Sequence, residues 1–176
     1  MNKGKIADSG LLFYLSLTLT IICGFALTRL VDPVLVKKSG FGVIHLQFAQ
    51  RPDRLLLILQ SWGAEGRAFF LRWIWLDYIY PAAYGTFLFL LLRRSVNRAF
   101  PASMTLRVLS LLPLLAGVLD WVENTVEIYM MRHIAQAAEI FALHRFFVYT
   151  KWSAVFLSLV LLIGIFVAGI YQRQKR

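Results

Sequence analysis

"LLAGVLDWVENTVEI", residues 114–128, sets Asp120, Glu123, Asn124 and Glu127 inside one of the most apolar parts of the chain. Spacings of three and four place the three acids on one helical face. The segment is apolar enough to enter a bilayer, so the fold must supply a reason for its carboxylates.

The surrounding composition fixes the solvent. Of 176 residues, 59% are hydrophobic and only 16% charged, and the mean hydropathy is +0.66. Soluble domains run at about 45–50% apolar and about 25% charged. Runs able to cross a hydrocarbon layer, roughly 20 residues each, fall at about 11–31, 70–92, 106–128 and 150–171. The expectation is an all-α, polytopic membrane protein, a four-transmembrane-helix bundle forming a single membrane domain over 1–176. Lys3 and Lys5 precede the first run as in a secretory leader. That run is longer than a leader's apolar core and no A-x-A site follows before Arg29, so it reads as a retained anchor. Ile21 and Ile22 also argue against lipoprotein cleavage before Cys23, the sole cysteine, which excludes an intrachain disulfide.

Orientation follows from the basic residues. Lys3, Lys5, Arg93, Arg94, Arg98, Arg107, Arg173, Lys175 and Arg176 cluster in three short segments, whereas the other ten spread over longer stretches from Arg29 to Lys151. Density in short loops marks the cytoplasmic side, so both termini are placed inside, and the short tails suit a bacterial inner membrane. The net charge of +10 then reads as topology signal and contact with membrane lipid headgroups. Nucleic acid is not expected as a partner, because the basic residues are divided between two sides and form no aromatic-interleaved patch.

The first helix should end at Asp32-Pro33, leaving an outer interfacial segment over about 33–68. Within it "GVIHLQF" alternates Ile44, Leu46 and Phe48 with polar residues, as an extended stretch would. "RPDRLLLILQSWG" has Pro52 and Asp53 at a helix start and Gly63 at its stop. It is expected to lie in the interface or cap the bundle. A second outer segment, about 129–149, carries "RHIAQAAEIFALHR" as a short helix of the same kind.

This topology brings the acids together. Asp77 falls about two turns into a descending helix, while Asp120, Glu123 and Glu127 end an ascending one, so all four share the outer half of the membrane. A charge at mid-helix costs about 2.5–3.5 kcal/mol even on the lenient insertion scale. The four should therefore face each other, a polar cavity or cations. On "LDYIYPAAYG", Asp77, Tyr80 and Tyr84 share a face, and Pro81 frees the carbonyl of Asp77. The outer cations are Arg29, Arg67, Arg72, Arg132, Arg145 and Lys151, with Arg72 and Lys151 nearest in depth.

The candidate ligand-binding set is Asp77, Tyr80, Tyr84, Asp120, Glu123, Asn124, Glu127, Arg72 and Lys151, with Asp77 and Glu123 as candidate catalytic carboxylates. The same acids can instead pin helices together through ion pairs. Trp73, Trp75, Tyr78 and Tyr80 read as interfacial anchors, and Trp121 as packing. His45, His133 and His144 read as loop residues in the interface; lacking any paired spacing, they imply no metal site. Gly24 with Thr28, and Gly164 with Ala168, have the spacing of close helix contacts. No haem-attachment or dinucleotide motif appears, so no cofactor is expected.

"LQFAQ", "ILQSWGAEGR", "LDYIYPAAYG" and "LLPLLAGVLDWVEN", within residues 44–127, together resemble a family of small bacterial four-helix integral membrane proteins of uncharacterised activity. The resemblance implies a fold and a topology and transfers no catalytic role. Three functions stay open. One is binding or transport of a lipid, amphiphile or cation, in a narrow bundle that a homo-oligomer would widen. Another is a membrane enzyme with paired carboxylates, or a divalent ion on Asp120, Glu123 and Asp77. The third is an assembly protein whose charges fix helix register.

Overall fold

The computed structural model describes residues 10–174, so Lys3, Lys5, Lys175 and Arg176 of the orientation signal lie outside the described residues. Every regular element among the described residues is helical. Helix α1 runs Gly10–Ser39, α2 Val43–Gln47, α3 Pro52–Ala99, α4 Met104–Leu109, α5 Leu112–Arg132, α6 Ile134–Ala137 and α7 Phe141–Gln174. Four helical stretches are long and apolar enough to cross a membrane: α1, α3, α4 with α5, and α7. Helix α3 packs against α1, α5 and α7, and α5 also packs against α7, whereas α1 and α7 share at most a marginal contact.

Helix α1 does not stop at Asp32-Pro33. A π-helical turn over Leu27–Val31 precedes the proline and the helix resumes to Ser39. The wider turn absorbs the missing N–H and the ring's bulk. Gly40, at φ 78°, then ends the helix.

"GVIHLQF" is also helical rather than extended. The Asp32 carboxylate accepts from the Val43 N–H at 2.6 Å, and the Gly42 N–H donates to His45 Nδ1 at 3.1 Å. Those two bonds cap α2, and a Cβ on Gly42 would collide with the Asp32 carboxylate. Leu46 is buried while Ile44 and Phe48 are exposed, so the alternating residues never formed one face.

The Pro52 start and the Gly63 stop both appear, but the chain turns at Gly63 instead of ending. Gly63 adopts φ 62°, a conformation costly for any residue with a side chain. Helix α3 therefore has a short arm before the bend and a long arm after it. Leu55, Ile58, Leu59 and Trp62 of the short arm are buried with Leu35, Leu46, Phe70, Met130 and Phe141. The Trp62 indole donates to the Phe41 carbonyl at 2.7 Å. The short arm thus caps the bundle.

Two glycines let α3 and α5 touch backbone to backbone. A Cβ on Gly117 would lie 2.9 Å from the Pro81 carbonyl oxygen, and one on Gly85 would lie 3.0 Å from that of Pro113. Each glycine opposes the partner helix's proline. The expected small-residue pairs fare differently. Gly24 faces the Tyr80 ring, its virtual Cβ 3.4 Å away, whereas Gly164 has nothing within 4 Å and makes no close helix contact.

The last helix begins at Phe141, nine residues before the expected boundary. Only Ile134–Ala137 is a separate short helix, so "FALHR" belongs to α7 and not to an outer loop. At 34 residues α7 spans about 51 Å, well beyond the roughly 30 Å hydrocarbon thickness that set the predicted span.

Candidate functional site

Helix α5 buries its acidic face and exposes its apolar one. Asp120, Glu123, Asn124 and Glu127 are buried, while Leu115, Val118, Trp121 and Val122 point outward. This inversion suits a helix whose outside meets an apolar medium and whose polar groups must find partners within the protein. The polar layer lies between the apolar core around Phe70, Met130 and Phe141 and a second cluster of Tyr84, Ala116 and Ala154.

Lys151 is the central cation. Its ammonium lies 3.2 Å from Asp120 Oδ1 and 2.7 Å from Glu123 Oε2. The Glu123 contact is an ion pair without hydrogen-bond alignment, and Glu123 Oε1 has no partner. The Tyr84 hydroxyl donates to the second Asp120 oxygen at 3.0 Å, so both oxygens of Asp120 are engaged. The other predicted cation, Arg72, is exposed and forms no ion pair among the described residues. Arg67 and Arg145 instead donate to the carbonyls of Leu59 and Gln50.

Asn124 closes the gap that Pro81 opens. Its side-chain amide donates to the Asp77 carbonyl at 2.6 Å, the group left without its usual intrahelical donor. Nearby, the Trp121 indole donates to the Tyr78 carbonyl at 2.8 Å, and the Tyr78 hydroxyl shares a 2.8 Å bond with Thr125. Tyr78 and Trp121, expected as an anchor and as packing, thus also tie α3 to α5.

His144 is the residue that sequence reasoning missed. Placed in a loop by the late helix boundary, it is in fact buried on α7, its Nε2 3.3 Å from Glu127 Oε1. The signal lay in the spacing of Phe141, His144, Val148, Lys151 and Ala154, all buried, at three and four residues. His45 and His133 are exposed.

A cavity of about 400 Å³ opens beside the polar layer, walled by α1, α2, α3, α5 and α7. Leu27, Val31, Ile74, Phe87, Leu88 and Val155 make much of its surface apolar, and Trp73 and Trp152 also line it. Its polar end holds Asp77, Tyr80, Tyr84, Asp120 and Lys151; Glu123, Asn124 and Glu127 lie outside the lining. It occupies the seam where α1 and α7 are not packed together, and Ile44 and Trp152 on its wall are exposed. Asp77 is half-buried there, and among the described residues its carboxylate has neither a hydrogen bond nor an ion pair.

The carboxylates that the sequence places at one depth therefore divide between two neighbouring sites, with Lys151 between them. Asp77 and Asp120 face the cavity, and Glu123 and Glu127 face His144. No family model, curated protein or solved structure matches the chain.

Proposed function

We propose that the protein is an integral membrane protein that binds an amphiphile carrying a cationic or hydrogen-bond-donating head, with the tail in the apolar cavity and the head at Asp77. The observation that carries this is the uncommitted Asp77 carboxylate at the polar end of a largely apolar cavity of about 400 Å³. That volume lies within the roughly 300–1,000 Å³ of small-molecule sites, which pair apolar walls with a few placed polar groups. An intramembrane acid without a partner marks a ligand or ion path by default.

Large apolar side chains cover the outside of α1 and α7, among them Ile21, Phe25, Phe156, Ile163 and Phe166, which suits a lipid surround. We place the protein in a bacterial inner membrane with both termini cytoplasmic, a placement supported by the dense basic segments near residues 93–107. The lateral seam then opens to the outer half of the bilayer, and a lipid or another amphiphile enters from the side. Transport is the same binding followed by release. The resemblance to small bacterial four-helix membrane proteins agrees with this placement and adds no activity.

The paired-carboxylate enzyme has less support, because Glu123 contacts Lys151 outside the cavity lining and does not share a substrate position with Asp77. A purely structural role predicts complete charge pairing, which Asp77 lacks. The test is a thermal melt in lipid nanodiscs with a single-chain alkyl ammonium, an alkyl sulfate and an alkyl glucoside. The ammonium should raise the melting temperature of wild type and not of Asp77→Asn. An equal response from both proteins would overturn the proposal.

A further inference from the structure

Glu123, Glu127 and His144 each place one ligand atom within 4.8 Å of the others, and all three residues are buried. The glutamates stand one turn apart on α5, so their side chains share a face, and His144 is presented by the neighbouring α7. Glu123 Oε1 and Glu127 Oε2 are buried without any partner. We infer that these three side chains form a binding site for one divalent first-row transition metal, of the Zn²⁺, Mn²⁺ or Fe²⁺ type.

Charge is the first support. Asp120, Glu123 and Glu127 are buried beside a single lysine. A buried carboxylate stays ionised only when it is paired or bound to metal. Lys151 touches both Asp120 and Glu123 and supplies one positive charge against three carboxylates, so two negative charges are left over, and one divalent ion neutralises them. Donor chemistry is the second. One imidazole with two carboxylates and no sulfur suits zinc, manganese or iron, while calcium and magnesium prefer shells made wholly of oxygen. Distance is the third. Ligand atoms held at about 2.0–2.2 Å from a metal lie closer together than 4.8 Å, a gap that small side-chain rotations close. Three protein ligands leave coordination positions for water or a further group.

The site is separate from the proposed amphiphile cavity, which none of the three residues lines, so either proposal can fail alone. The experiment uses full-length protein without a polyhistidine tag, stripped with a chelator and then given Zn²⁺, Mn²⁺, Mg²⁺ or Ca²⁺. Metal content by mass spectrometry should reach about one Zn²⁺ or Mn²⁺ per chain, with a raised melting temperature. Mg²⁺ and Ca²⁺ should do neither. His144→Gln and Glu127→Gln should each weaken uptake by more than the ten- to hundredfold typical of losing an outer-shell partner. Stripped wild type that melts cooperatively, takes up no Zn²⁺ or Mn²⁺ and keeps its melting temperature would overturn the site. So would a His144→Gln protein that binds as wild type does, which would move the metal to surface histidines. If a variant fails to fold, a His45→Gln/His133→Gln protein that still takes up one Zn²⁺ per chain places the metal at His144, and one that loses uptake overturns the site.

Discussion

The Asn124 side-chain amide donates to the main-chain carbonyl of Asp77 at 2.6 Å, four residues before Pro81. One polar side chain on α5 thus satisfies a backbone defect that a proline creates on α3. Asn124→Ala should cost about 1–3 kcal/mol by orphaning that carbonyl. In a Pro81→Ala background the new N–H at position 81 takes over the carbonyl, so the same change should cost less. Denaturant unfolding of the four proteins checks this as a double-mutant cycle; equal costs in both backgrounds would dissociate Asn124 from the proline.

Glycine positions on the same interface give a second prediction. Gly117→Ala and Gly85→Ala each drive a methyl against a backbone carbonyl, at 2.9 and 3.0 Å. Each should lose about 1–3 kcal/mol as overpacking strain. Gly164→Ala meets nothing within 4 Å and should be neutral or slightly stabilising, since alanine is the better helix former. Melting temperatures of the three single variants are the check.

Lys151 gives the third. Removing it leaves Asp120 and Glu123 buried without their cation, and breaking a buried pair costs about 3–5 kcal/mol. Lys151→Met should therefore be severely destabilising. Adding Asp120→Asn and Glu123→Gln to it should restore much of the loss, because neither carboxylate that Lys151 paired with is left charged. Expression level and melting temperature of the single and triple variants measure the recovery.

Much of this architecture was legible in the sequence, and the parts that were not have specific causes. The helical class and the shared depth of Asp77 with the α5 acids follow from apolar run length and 3–4 spacing, and the Pro52 start from the residue types of a helix N-terminus; Gly63, expected as a stop, bends the helix instead. The continuation of α1 through Pro33 was hidden because a π-helical turn leaves no compositional mark. Helix α2 depends on Asp32 capping Val43 from eleven residues away, a long-range bond that local alternation cannot reveal. His144 was lost because hydropathy averages register the uninterrupted apolar run of α7 and not its first turns, which His144, Arg145 and Lys151 interrupt. Arg72 was overvalued because depth was inferred without rotation about the helix axis. Its side chain is exposed.

The cavity proposed to hold an amphiphile by its head at Asp77 contains its own reporters. Trp73 and Trp152 both line it, and bromine on an alkyl chain quenches nearby indole fluorescence. The decisive measurement titrates a tail-brominated alkyl ammonium into nanodiscs holding wild type, Asp77→Asn or Val155→Phe, the last narrowing the cavity. Saturable quenching is expected in wild type, weakened about tenfold or more in Asp77→Asn by loss of a charge-assisted contact, and reduced in amplitude in Val155→Phe. Linear, unsaturable quenching that is identical in all three proteins would mean that the amphiphile only dissolves in the surrounding lipid, and would contradict the account.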